Sequence, residues 1–156
     1  MCDPTVSGRL FALFTGQEIE SSRIVFRDWS PHWEMLAEYG WIDLALAPFS
    51  FNGGVTTCDA LWMGVPVVTC AGETFASRHS LSHLFSVGLT ATIARDLDEY
   101  VALAAEWAGD LPRLAAVRTG LCEQVAASPL CNGARFAANL MACLHKAWRH
   151  WATASQ

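Results

Sequence analysis

"IDLALAPFSFNGGVTTCDALWMGVPVVTC", residues 42–70, decides the fold. Its two ends, "IDLALA" (42–47) and "PVVTC" (66–70), are apolar runs too short for helices, and the second is mostly β-branched. Both read as buried strands. Between them "TTCDALWM" (56–63) reads as a short helix stopped by Gly64. A strand, a helix and a strand in succession predict a parallel pair, because parallel strands need a crossover connection.

The alternation extends in both directions. Upstream, "DPTVSGRLFALF" (3–14) predicts a helix with Asp3 as N-cap, Pro4 at its first position and Leu10, Phe11 and Phe14 on one side. "RIVF" (23–26) is a β-rich run, and "SPHWEMLAEYG" (30–40) predicts a helix capped by Ser30, with Pro31 at its first position and Gly40 as its stop. Downstream, "SRHSLSHLFSVG" (77–88) predicts a helix ending at Gly88, followed by a short apolar piece, "LTATIA" (89–94). Asp96 and Glu99 form a capping box for "LDEYVALAAEWAG" (97–109), whose Tyr100, Leu103, Ala104 and Trp107 share a face. Asp110 and Pro112 start the next helix, with a stripe at Leu114, Val117, Leu121 and Val125. A last helix follows "SPLCNG" (128–133), with Phe136, Leu140, Leu144 and Trp151 on one face and Arg135, Lys146 and Arg149 mostly on another.

Composition narrows the function. With 156 residues, 53% of them hydrophobic and 16% charged, the chain can bury one substantial core, and one compact domain is expected. Ten basic residues against fifteen acidic ones, a formal charge of -5 with no basic block, argue against a nucleic-acid-binding face. No membrane span is expected, since the longest apolar stretch, "LWMGVPVVTCAG" (61–72), is interrupted by Gly and Pro. "MCDPTVSGRL" (1–10) lacks the basic and apolar regions of a signal peptide, so the chain reads as cytoplasmic. Cys2, Cys58, Cys70, Cys122, Cys131 and Cys143 form no CxxC pair and read as buried small hydrophobes. Cys58 lies near a helix start, which can favour a thiolate, but packing is its expected role too. His79 and His83 are four apart on one helix without a third ligand, so no metal is expected.

"FNGGVTTCD" (51–59) lies at the carboxyl end of the first strand, where open α/β sheets bind ligands. Two readings stay open from the residues alone. One is a plain turn leading into a helix. The other is a cradle in which glycine backbone, helix N–H groups and Thr hydroxyls meet a phosphate. Neither GK[ST] nor GxGxxG is present. Asp59 reads either as a helix-dipole partner or as an acceptor for ribose hydroxyls.

The run "DLALAPFSFNGGVTTCDALWMGVPVVTCAGETFASRHSLSHLFSVGL" (43–89), with "ARDLDEYVALA" (94–104) and "SPLCNGARFAANL" (128–140), resembles the C-terminal catalytic region of the SPINDLY/O-GlcNAc transferase family. These are nucleotide-sugar glycosyltransferases of the two-lobed GT-B fold. The resemblance implies an α/β, Rossmann-like doubly wound parallel sheet flanked by helices, with residues 1–156 forming the donor-binding lobe. It implies transfer of a sugar from UDP-GlcNAc, or a related nucleotide sugar, to Ser/Thr hydroxyls of proteins, with no metal. It assigns the donor diphosphate to Gly54, Thr56 and Thr57, and the ribose to Asp59. The nucleobase falls to the Ser30 backbone, His32 and Met35, and Arg78 of "GETFASR" takes a supporting role.

Departures from the pattern concern the same loop. Val55 stands where the animal enzymes carry Thr, Met35 replaces a His that packs on the base, Ala47 replaces a common Asp, and Ser50-Phe51 replaces Pro-Tyr. The only lysine is Lys146. The family's diphosphate-neutralising lysine, its acceptor lobe and its tetratricopeptide repeats all lie upstream of the region matched. The resemblance thus implies the donor half of a transferase that meets its protein acceptor through another lobe or a partner chain. The alternative is a catalytically incomplete nucleotide-binding or interaction domain.

Overall fold

The computed structural model describes residues 3–154, so Cys2 lies outside the described residues. The chain divides into two compact units, one ending at Met35 and the other beginning at Leu36.

The first unit opens with α1 (Pro4–Thr15), whose start follows the expected chemistry. The Thr5 N–H donates to the Asp3 carboxylate at 2.7 Å, and Pro4 takes the first helical position, where no N–H is needed. The Phe11 ring meets Phe26 edge-on, with centroids 4.8 Å apart. The β-rich run 23–26 is not a strand. Ser21–Arg23 is a 3-10 turn, closed by the Arg23 N–H donating to the Glu20 carbonyl at 3.0 Å, and Val25 is 73% exposed. β-propensity describes a fit to a pleated, half-buried surface, and this unit offers no such surface among its described residues. Near its end begins α2 (His32–Glu38), with the Met35 N–H donating to the Pro31 carbonyl. The helix stops at Glu38, and Gly40 lies in the 3-10 turn Tyr39–Trp41 that follows.

The second unit is built on three parallel strands in the order β1 (Ala45–Leu46), β2 (Val67–Cys70), β3 (Ile93–Ala94). Ala45 pairs with Val67 and Leu46 with Val68, while Thr69 pairs with Ile93 and Cys70 with Ala94. The crossovers are α3 (Val55–Trp62) and α4 (His79–Val87). After β3 come α5 (Leu97–Gly109), α6 (Leu111–Ala127) and α7 (Gly133–Ala154). The predicted strand–helix–strand unit is therefore present, and "LTATIA" ends in a strand. Among the described strands the order runs one way across the sheet, without a reversal.

β2 is buried along its whole length, which explains its run of β-branched residues. Its side chains alternate between two apolar clusters. Val67 joins Leu61, Leu84, Trp107, Leu114, Leu121 and Val125, whereas Val68 and Cys70 join Ala94 and Tyr100. Helices thus cover both sides of the central strand. The stripes predicted on α5 and α6 are the ones buried.

Helix ends follow their residues closely. Gly64 after α3 has φ +81°, and a Cβ there would come within 2.8 Å of the Arg118 carbonyl oxygen. Arg118 also reaches back, donating to the carbonyls of Ile42 and Tyr39, both at 2.7 Å. Gly88 ends α4 at φ +78°. Asp96 caps α5 by accepting from the Glu99 N–H at 2.8 Å, but the returning arm of the expected capping box is displaced by one residue. The Glu99 carboxylate accepts from the backbone and side chain of Arg95, because the guanidinium adds charge to the hydrogen bond. α7 buries none of its residues, and Phe136, Leu140, Met141, Leu144, Trp148 and Trp151 are all exposed.

The cysteines depart from expectation. Among the described cysteines Cys70 alone is buried, Cys58 and Cys122 are half-buried, and Cys131 and Cys143 are exposed.

Candidate functional site

The site grows from the carboxyl end of β1. The Ala47 N–H donates to the Val68 carbonyl at 2.9 Å, and the Ala47 carbonyl accepts from the Tyr100 hydroxyl at 3.0 Å. The strand end is held from both sides. Burial, and next the Cys70 thiol, raise the Tyr100 pKa, so the phenol keeps the proton it donates.

Asn52 fixes the loop that follows. Its side chain is 1% exposed, and Nδ2 donates to Thr69 Oγ1 and the Ser77 carbonyl at 2.8 Å, and to the Cys70 carbonyl at 3.3 Å. The Asn52 N–H donates to the Ala76 carbonyl. One side chain therefore joins the loop to β2 and to the turn before α4. The sequence reading passed over Asn52, and the available signal was a polar residue at the head of a Gly-Gly pair between two buried strands.

The two glycines have different reasons. A Cβ on Gly53 would lie 2.5 Å from Thr56 Oγ1 and 2.9 Å from Thr57 Oγ1, so a side chain is excluded there. Gly54 precedes α3 and gives it no side-chain cap, while its carbonyl accepts from the N–H groups of Thr57 and Cys58. Among the described residues no hydrogen bond occupies the N–H groups of Val55 or Thr56. Those are the donors a helix start leaves free, and they carry its positive partial charge.

The expected site residues divide accordingly. Thr56 is exposed and Gly54 half-buried at the helix start. Thr57 does not present its hydroxyl: it is 3% exposed, donates to the Gly53 carbonyl at 2.7 Å and pairs with Ser80 Oγ at 2.8 Å. The resemblance assigned Thr57 to the diphosphate, and its hydroxyl is here engaged within the protein. As the third residue of α3 it faces inward, and its hydroxyl braces the glycine turn against α4. Asp59, half-buried one turn into α3, lies close enough to Tyr39 and Cys58 to raise the pKa of each, after burial as the main cause. The Cys58 thiol is therefore held protonated, contrary to a thiolate favoured by the helix start, because burial and the Asp59 charge oppose ionisation. Ser30, just before α2, and His32 and Met35 within it belong to the first unit, and the loop belongs to the second.

The segment "GETFASR" is a braced turn. Thr74 and Ser77 exchange hydrogen bonds through backbone and side chains, and Arg78 Nη1 donates to the Gly72 carbonyl at 3.1 Å. Arg78 thus braces the turn. Beside this turn a groove of about 730 Å³ runs between α3 and α4, lined by Gly54, Val55, Cys58, Phe75, His79 and their neighbours. A smaller cavity of about 140 Å³ lies on the Tyr39 side of α3, against Gly53, Thr56 and Ala60. Among the described residues no group of three His, Cys, Asp or Glu side chains is placed to hold a metal, and no helix is long and apolar enough to cross a membrane.

Comparison with known proteins bears on this geometry. The model of Glycosyl transferase family 41 matches residues 6–140. The probable UDP-N-acetylglucosamine–peptide N-acetylglucosaminyltransferase SPINDLY of Petunia hybrida is 42% identical over 113 residues, which are 72% of this chain and 12% of that protein. The UDP-N-acetylglucosamine–peptide N-acetylglucosaminyltransferase of Caenorhabditis elegans is 29% identical over 133 residues, 85% of this chain and 12% of that one. A solved structure of a mutant O-GlcNAc transferase from Thermobaculum terrenum superposes with a TM-score of 0.89 at 32% identity, covering 99% of this chain and 30% of that one. The chain therefore spans about one eighth of the length of these curated relatives.

Proposed function

The chain belongs to glycosyl transferase family 41, that of the SPINDLY and O-GlcNAc transferases, and from that premise we propose that it is the donor-binding lobe of a protein glycosyltransferase. The nucleotide sugar, UDP-GlcNAc or a close relative, binds with its diphosphate at the start of α3. The free N–H groups of Val55 and Thr56, the Gly54 backbone and the Thr56 hydroxyl receive the phosphate oxygens. Asp59 accepts from the ribose hydroxyls. Thr57 contributes by holding Gly53 in place. The sheet is read as the strand core of a doubly wound, Rossmann-like GT-B lobe.

The observation that carries the reading is the uncapped start of α3 at the carboxyl end of β1, in a chain of this family. Natural helix starts usually receive a side-chain cap. Here the loop is fixed by Asn52, Thr57 and Ser80, and its outward donors stay unused. Preorganised donors of this kind stabilise the charge that develops on a departing diphosphate.

Transfer to a Ser or Thr hydroxyl is assigned to the two-lobed enzyme, and donor binding to these 156 residues. The five described cysteines are free, which suits a reducing, cytoplasmic setting. The test is thermal unfolding of the purified chain with UDP at millimolar concentration. UDP is expected to raise Tm, since a ligand that binds only the native state stabilises it, and Asp59→Ala is expected to reduce the shift. No shift with the wild-type chain overturns the reading.

A further inference from the structure

His79 opens α4 directly after the braced Thr74–Ser77 turn, so the position of its backbone is set by that turn. Its ring is gripped edge-on from two sides. The Phe75 centroid is 4.5 Å away, and the Phe51 centroid, from the donor loop itself, is 5.9 Å away. Edge-to-face contacts at these distances favour this ring orientation.

The ring points at the loop. A Cβ built on Gly54 would meet His79 Nδ1 at 3.4 Å, so the imidazole takes the space that a side chain at residue 54 would otherwise enter. It thereby stands beside the free N–H groups of α3, on the wall of the groove of about 730 Å³. The other basic groups on that wall are partly engaged or held neutral. Arg78 is turned to the Gly72 carbonyl, and His83, one turn further along α4, is held toward its neutral form by burial and by its neighbour His79. The first residue of α3 is Val55, which brings no hydroxyl.

We propose that His79 is a donor-binding residue of this chain: its imidazole hydrogen-bonds a phosphate oxygen of the nucleotide sugar and supplies from α4 the side-chain donor that Val55 lacks on α3. The inference rests on the donor reading above and adds a residue to it. The aromatic pair fixes the ring, Gly54 admits it, and the phosphate completes its hydrogen bonding.

The experiment measures dissociation constants of the 156-residue chain for UDP and for uridine by calorimetry at low ionic strength. His79→Phe keeps a ring between Phe51 and Phe75 and removes the nitrogen donors, and His79→Gln keeps a donor. The expected result is a loss of about tenfold or more in UDP affinity for His79→Phe, as for a hydrogen bond to a charged group. Uridine affinity should stay unchanged, and His79→Gln should remain within about threefold of wild type. Unchanged UDP affinity in His79→Phe, or an equal loss for UDP and uridine, overturns the assignment. Asp59→Ala separates the two levels: if it weakens both ligands while His79→Phe weakens neither, His79 is excluded and the donor reading stands. If the wild-type chain binds no UDP, both fall together.

Discussion

Replacing Asn52 with alanine tests how the loop at residues 51–59 is held. The amide has two hydrogens serving three acceptors, Thr69 Oγ1 and the carbonyls of Ser77 and Cys70, in a site 1% exposed. Its removal takes a donor from each of them; the Ser77 carbonyl still accepts from the Gly72 N–H, while Thr69 Oγ1 and the Cys70 carbonyl lose a partner in a site where an unsatisfied group costs about 1–3 kcal/mol. One term opposes this, since Asn52 Oδ1 is itself buried without a partner among the described residues and its loss relieves that burden. The net destabilisation expected is about 2–4 kcal/mol, which corresponds to a Tm lower by about 5–15 °C in a domain of this size. Urea unfolding followed by circular dichroism gives the value, with the midpoint moving and the slope unchanged. Because the same side chain positions Gly53 and Gly54, affinity for UDP should fall alongside. A stability change under about 0.5 kcal/mol would refute the reasoning, since an exposed or water-served amide behaves that way.

Other outcomes are more local. Thr57→Val should cost about 1–2 kcal/mol, through the lost bonds to Gly53 and Ser80, whereas Thr56→Val should leave stability alone and weaken UDP binding, as separate unfolding and calorimetric measurements would reveal. Gly64→Ala should cost about 1–3 kcal/mol in urea unfolding, given φ +81° and the Arg118 carbonyl 2.8 Å from the new Cβ. The His83 pKa is lowered in the folded chain by burial and by His79, so the unfolded state binds a proton first. Stability should therefore be complete above the ordinary value of 6.5 and decline as pH falls below it, a slope that His83→Gln should flatten in unfolding curves between pH 7 and 5. Leu144→Ser on the exposed face of α7 should shift stability of the isolated chain by less than about 0.5 kcal/mol.

What the sequence made legible follows from which forces are local. Periodicity, caps and glycine stops act over a few residues, so α1, α4, α5 and α6 and the β1–α3–β2 unit could be read directly. "RIVF" failed because a strand requires a neighbour, and propensity does not say whether one exists. The capping box on α5 slipped by one residue because Arg95, a charged competitor, lies within reach of Glu99. In the site, the Gly-Gly turn into α3 was legible in the sequence. The inward direction of the Thr57 hydroxyl was not, because it depends on the helix phase and on Ser80, which is 23 residues away in sequence. Asn52 was missed because its partners come from β2 and the turn after it, 17 to 25 residues away, and His79 because Phe51 and Gly54 lie on the other side of β2 in sequence.

Arg118 gives the fold a temporal order. Its guanidinium holds the carbonyls of Ile42 and Tyr39 across separations of 76 and 79 residues, and its own carbonyl crowds Gly64 at the end of α3. During synthesis the approach to β1 leaves the ribosome long before the side chain that secures it. The carbonyls that lead into β1 are thus secured only after α6 has emerged, so a nascent chain arrested before that helix carries residues 39–42 without the contacts that hold them.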